Sequence, residues 1–237
     1  MDAVALVLLP GLDGTGLLFA DFVAELEQLA PQVEPVVVRY PTDQALGYGE
    51  LEEIARSLLP KNRRFVLLGE SFSGPIAISI AASRPTGLLG LVLVCTFARY
   101  PRALLRRLHG LAPFVPVKGR IVALARAIAA RQRIASAVEA KLAEASGKVS
   151  SHVFRSRISE LLQVDVSSKL EDINVPILDL RARKDGVVPN RAGEEIRRLG
   201  RRVTVVEMES PHFVLQALPK ETAAAVRDFI LTLSALV

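Results

Sequence analysis

Short apolar runs alternate along the chain with segments whose apolar residues recur every three or four positions. Six runs are rich in Val, Leu and Ile and show little period-2 alternation: Val4–Leu9, Val33–Arg39, Arg64–Leu68, Leu89–Val94, Val175–Leu180 and Val203–Glu207. A strand with one wet face alternates polar and apolar residues, whereas a strand covered on both faces does not. These runs therefore predict buried parallel strands. Helical stripes fill the gaps: Phe19, Phe22, Val23, Leu26 and Leu29; Leu51, Ile54, Ala55 and Leu58; Ala223, Val226, Ile230 and Leu233. Strands alternating with helices predict an α/β fold with a mostly parallel six-stranded sheet, helices on both faces and right-handed crossovers.

One stretch breaks the rhythm. Between the runs ending at Val94 and starting at Val175 no convincing strand occurs, while helical stripes do: Ile121, Leu124, Ala125 and Ile128, then Val153, Arg157, Ile158 and Leu161. Arg157 is a charge on an otherwise apolar stripe. Residues 99–165 are expected to form a helical cap over one end of a core made of residues 1–98 and 166–237. No repeat, low-complexity tract or flexible linker interrupts the chain.

With 237 residues, half of them apolar and 23% charged, the chain suits one globular domain with a substantial core. The single Cys95 excludes an internal disulfide, and the lack of a CxxC or Cys/His cluster argues against structural zinc. No apolar run approaches the ~20 residues that span a bilayer. The apolar start lacks a basic leader and runs straight into Pro10-Gly11, so it reads as a strand and not a signal peptide. A cytoplasmic protein is expected. Charge is uneven: the net +5 of the chain hides eleven Lys and Arg against two Glu between Arg99 and Lys148, an excess of +9 that leaves −4 elsewhere. Such a stretch is either a solvated helical face or a surface that attracts an anionic carrier or lipid headgroups. Nucleic acid is not expected, because no aromatic residues interleave the arginines through the central insertion helices.

The candidate chemistry sits at strand ends. Phe65 to Leu68 runs into Gly69-Glu70-Ser71-Phe72-Ser73-Gly74 and then a small-residue helix. A serine on a strand-to-helix turn of this kind is forced into a tight conformation that exposes its hydroxyl, provided its neighbours two positions away are small. Gly69 is small, and Ser73 stands where a second glycine is usual. Asp185 follows the fifth run and His212 the sixth, so both lie beyond the carboxyl ends of strands, where open α/β sheets bind ligands. A serine hydroxyl needs a neutral imidazole to take its proton, and the imidazole needs a carboxylate to hold its tautomer. Ser71, His212 and Asp185 can fill these roles, and Asp179 is the rival acid. His109 and His152 both fall in the insertion. The first run ends in Pro10-Gly11-Leu12-Asp13-Gly14-Thr15-Gly16, a loop whose backbone can approach a ligand closely. It lacks the Lys-Ser/Thr ending of a phosphate loop and the acidic partner of a dinucleotide site.

Taken in order, Pro10-Gly11-Leu12-Asp13-Gly14, Gly69-Glu70-Ser71-Phe72-Ser73-Gly74, Asp185-Gly186-Val187-Val188-Pro189 and Pro211-His212-Phe213 resemble the α/β-hydrolase superfamily over essentially the whole chain. The resemblance implies a trimmed, all-parallel six-stranded sheet. It also implies a Ser71–His212–Asp185 triad and an oxyanion hole made by the backbone N–H groups of Leu12 and Phe72. Pro10 replaces the usual histidine before the oxyanion glycine. Ser71 at the elbow sets the chain apart from dehalogenase and epoxide-hydrolase relatives, which carry Asp there. The Pro-Gly-Leu-Asp-Gly-Thr-Gly stretch is similar to one in some acyltransferase-like members. The expected activity is hydrolysis of a carboxylic ester on a small acyl substrate. Thioester hydrolysis, acyl transfer and a non-catalytic binding role are the alternatives. No cofactor or metal is implied.

Overall fold

A computed structural model of the chain describes residues 4–101 and 136–234. Six strands form one parallel sheet: β1 (Val4–Leu9), β2 (Val33–Val37), β3 (Phe65–Glu70), β4 (Leu88–Val94), β5 (Ile177–Ala182) and β6 (Val203–Met208), in the order β2-β1-β3-β4-β5-β6. The predicted α/β sheet is present, with boundaries moved by a residue or two. β5 begins at Ile177 and not at Val175, because Pro176 has no N–H to give to the ladder. Pro35 lies within β2, an edge strand, where a missing donor costs no pairing.

Successive residues of β1 feed opposite cores. Val4, Leu6 and Leu8 pack with α1 (Ala20–Leu29) and with α8 (Pro219–Ser234) through Phe22, Leu26, Val226, Phe229 and Ile230. Ala5, Val7 and Leu9 join α2 (Tyr48–Ser57), α3 (Gly74–Ala82) and α6 (Asn190–Leu199) through Leu51, Ala55, Ile76, Ile80 and Ile196. Burying each large apolar side chain stabilises the fold by roughly 1.5–3 kcal/mol before entropy is counted. Both faces of the central strands are thus covered, which is why the sequence showed no alternation.

The described part of the insertion holds α4 (Ser136–Gly147) and α5 (Ser151–Gln163), and α7 (Val214–Ala217) follows β6. Ser150 caps α5 by accepting from the Val153 N–H at 3.3 Å. Val138 and Leu142 of α4 pack on Leu18 and Phe213, and Val153 and Phe154 of α5 pack on Leu12. These contacts lie over the loops that follow the carboxyl ends of β1 and β6. Arg99 and Asp165 form an isolated antiparallel bridge. The stripe Ile121–Ile128, His109, and the basic residues Arg102, Arg106, Arg107, Lys118, Arg120, Arg126, Arg131 and Arg133 lie outside the described residues. Among the described residues, no helix is long and apolar enough to cross a membrane.

Candidate active site

The chain turns back across the sheet between β1 and β3: β2 lies on one side of β1 and β3 on the other. At such a switch point the loops leaving neighbouring strands diverge and open a crevice. Leu9 pairs with Gly69 at the end of this pair, so the loop beginning at Pro10 and the turn beginning at Glu70 face each other across it.

Ser71 is the first residue of a 3₁₀ turn that leads into α3, and its φ is 48°. A left-handed non-glycine residue carries strain of the order of 1 kcal/mol, so the surroundings must hold it. Thr96 Oγ1 donates to the Ser71 carbonyl. A Cβ on Gly69 would lie 2.7 Å from that of Ala77 and 2.9 Å from the Ser73 carbonyl oxygen, so α3 folds back closely only against a glycine. Ser73, in place of a second glycine, is fully buried and donates its hydroxyl to the Pro10 carbonyl. That hydroxyl has one proton, so Tyr40 Oη is the donor in the 3.1 Å Tyr40–Ser73 hydrogen bond. Serine at this position therefore ties the turn to the loop after β1, which glycine could not do.

Ser71 Oγ lies 2.9 Å from His212 Nε2, and His212 Nδ1 lies 2.8 Å from Asp185 Oδ2. The second oxygen, Asp185 Oδ1, accepts the backbone N–H groups of Val187 and Val188, each at 2.8 Å. The side chains of His212 and Asp185 are 5% and 4% exposed, so their hydrogen bonds do not compete with bulk water. Asp179 lies elsewhere. Its carboxylate accepts from Arg181 Nε at 2.7 Å inside β5, and burial pushes it up to about 6 in spite of that partner. Arg181 also reaches Glu194 and the Gly193 carbonyl, which anchors the pair to α6.

A cavity of about 140 Å³ opens onto Ser71 and His212. Among the described residues its wall is formed by Gly11, Leu12, Asp13, Leu18, Glu70, Leu142, Ser146, Phe154, Leu161, Val187 and Phe213. Among the described residues the wall is mostly apolar, with Asp13 and Glu70 as its carboxyl groups and no Lys or Arg. Burial pushes Glu70 up to about 7, against the pull of the Gln216 amide that donates to it at 2.9 Å. Leu12 belongs to a turn closed by Gly14 N–H donating to the Gly11 carbonyl at 3.0 Å, and Phe72 is buried directly after Ser71. Among the described residues, Cys95, Asp185 and His212 bring potential metal-ligand atoms within 4.8 Å of one another. They do not fit a metal well: burial pushes the Cys95 thiol up, away from the thiolate that binds metal, and His212 Nδ1 already faces Asp185.

Several residues around this site escaped the sequence reading. Arg157, 1% exposed, donates to the carbonyls of Leu12 and Asp13. Tyr48 donates to the Phe72 carbonyl at 2.9 Å and stacks on the Phe72 ring at 4.7 Å. Gln216 joins Glu70 to the Leu18 carbonyl. Only Arg157 left a trace in the sequence, as a charge on an apolar stripe.

The model of the alpha/beta hydrolase family matches residues 6–225. The biotin biosynthesis bifunctional protein BioHC of Cellvibrio japonicus is 27% identical over 192 residues, which cover 75% of this chain; the chain spans 37% of the length of that relative. A hydrolase from Oleispira antarctica superposes with a TM-score of 0.82 at 15% identity, covering 96% of this chain and 91% of its own. An esterase from Exiguobacterium antarcticum gives 0.81 at 17% identity, with the same coverage of 96% and 91%. These two likenesses speak for the fold alone, while the family model spans the elbow, the loop after β1, Asp185 and His212 together. With the six-stranded parallel sheet and its strained serine turn, that match means that the chain belongs to the alpha/beta hydrolase family.

Proposed function

We propose that the protein is a serine hydrolase that cleaves a carboxylic ester through an acyl-enzyme. The observation that carries this reading is the hydrogen-bonded series Ser71 Oγ, His212 Nε2, His212 Nδ1 and Asp185 Oδ2, at 2.9 and 2.8 Å, opening onto an apolar cavity. Ser71 Oγ attacks the acyl carbonyl carbon while its proton passes to His212 Nε2. Asp185 holds His212 with its proton on Nδ1 and stabilises the imidazolium. The oxyanion of the tetrahedral intermediate takes hydrogen bonds from the Leu12 and Phe72 amides. Collapse expels the alcohol, which leaves with the proton from His212. Water, deprotonated by the same imidazole, then releases the acid and restores Ser71.

The cavity suggests the kind of acyl group. Its size is that of a void that accepts benzene, and among the described residues its mostly apolar wall offers no Lys or Arg to pair with an anionic chain. An uncharged acyl group is therefore proposed inside it. Any anionic carrier or lipid surface is proposed to meet the basic stretch between Arg99 and Lys148. A thioesterase or acyltransferase would use the same residues with another leaving group or acceptor. Residues 99–165 serve as the cap in this proposal, and a cytoplasmic setting belongs to it. The test is a screen of p-nitrophenyl esters and acyl-CoAs of graded chain length, together with fluorophosphonate labelling of wild type and Ser71→Ala. Turnover and labelling that both vanish in Ser71→Ala support the proposal. Absence of labelling in the folded wild type would favour a non-catalytic binding protein.

A further inference from the structure

We infer that Arg157, on the insertion helix α5, is a positioning residue that holds the oxyanion loop in shape. This rests on the serine-hydrolase reading above. Arg157 is among the largest fully buried side chains of the described residues. A buried guanidinium is unfavourable unless its donors are satisfied. Its donors go to main-chain carbonyls from two loops: Nη1 to Leu12 at 2.9 Å and to Asp13 at 2.7 Å, and Nη2 to Pro41 at 2.8 Å. Leu12 and Asp13 are the two central residues of the turn that Gly14 closes onto Gly11. Holding both of their carbonyls limits rotation of that turn, and with it the direction of the Leu12 N–H.

The packing is specific to a guanidinium. Gly14 has φ 71°, and a Cβ there would lie 2.5 Å from Arg157 Nη1, so the bare glycine face receives the planar group. Tyr40, whose ring centre is 5.9 Å from the Arg157 Cζ, hydrogen-bonds Ser73 at the elbow. The same helix reaches the second oxyanion residue. Glu160 accepts the Tyr48 N–H at 3.2 Å, and Tyr48 donates to the Phe72 carbonyl and stacks on its ring. Phe154 and Leu161 of α5 line the cavity. One helix of the insertion therefore grips the residues of both proposed donors and also forms part of the acyl wall.

Arg157→Lys keeps the charge but loses the forked geometry, and Arg157→Ala removes the group. A donor displaced by about 1 Å loses a large part of its effect, so kcat should fall roughly 10–100-fold in either variant while KM changes little. The rate at which a fluorophosphonate labels Ser71 should fall in parallel, because the phosphonyl oxygen occupies the same hole. Free guanidinium should restore part of both rates in Arg157→Ala and none in Arg157→Lys. Wild type labelled at Ser71, with both variants labelled and turning over at the wild-type rate, would overturn the inference and leave the hydrolase reading standing. A rate loss matched by loss of folded protein, with no rescue by guanidinium, would also overturn it, since a purely structural role predicts that. Wild type unlabelled at Ser71 would overturn the hydrolase reading itself. If Arg157→Ala does not fold, the Arg157→Lys rates decide between the same outcomes.

Discussion

Replacing Asp185 by Asn tests whether His212 is held in one tautomer, and the structure dictates which way the amide must sit. Asp185 Oδ1 accepts two backbone N–H groups at 2.8 Å, from Val187 and Val188. In the variant the amide oxygen has to occupy this position. Turning it around would leave two buried donors facing an NH₂ group, at about 1–3 kcal/mol for each donor left unsatisfied. The NH₂ group therefore faces His212 Nδ1, which must become an acceptor and leave its proton on Nε2. At 2.9 Å from Ser71 Oγ, Nε2 would then donate to the hydroxyl and could no longer take its proton. Loss of the correct tautomer lowers turnover by roughly 10²–10⁴-fold, or about 3–5 kcal/mol of barrier. Stability should change little, because the loop hydrogen bonds survive. Measuring kcat on a p-nitrophenyl ester beside a thermal melt checks both halves. An Asn variant within about threefold of wild type would refute this reasoning. So would an Asp179→Asn variant that loses activity while Asp185→Asn keeps it.

The other predictions use strain, burial and close packing. Ser71→Gly should abolish ester turnover, by roughly 10⁴–10⁶-fold, yet raise stability by up to about 1 kcal/mol by relieving the φ of 48°; a variant less stable than Ser71→Ala in urea would count against the strain. Glu70 holds a proton in the fold between its ordinary 4.5 and about 7, a range in which the unfolded chain has released it. Its contribution to stability therefore falls as pH rises through that window, by about 3 kcal/mol in all. Urea unfolding at pH 4.5 and pH 8 should show this loss in wild type, reduced by that amount in Glu70→Gln; equal slopes would dispose of the idea. Gly14→Ala should cost roughly 2 kcal/mol or more, because its Cβ meets the Arg157 guanidinium at a positive φ; an unchanged melting temperature would show that the loop gives way freely.

The α/β class, the six strands and the order of the site motifs were legible along the chain. Each of these is written in local signals: apolar runs without alternation, glycine and serine at a strand-to-helix turn, and Asp and His beyond later strands. Strand ends were less well marked, because backbone pairing continues past the last residue of the apolar run; β3 extends through Gly69 to Glu70 and β5 through Arg181 to Ala182. The choice between Asp179 and Asp185 was not local. They stand six positions apart near one strand end, and only the fold shows Arg181 holding the first and His212 facing the second. Ser73 read as a tolerated substitute for glycine, until the fold brought Pro10 and Tyr40 against its hydroxyl. Arg157 was a lone charge on an apolar stripe, and its partners lie 144 and 145 residues earlier in the chain, on the loop after β1. Periodicity reports which side of an element is buried, but a buried donor's partner is whatever the tertiary fold places within 3 Å of it. Hydrogen-bond direction and desolvation act through space, so the supports of this site emerged only once the chain was folded.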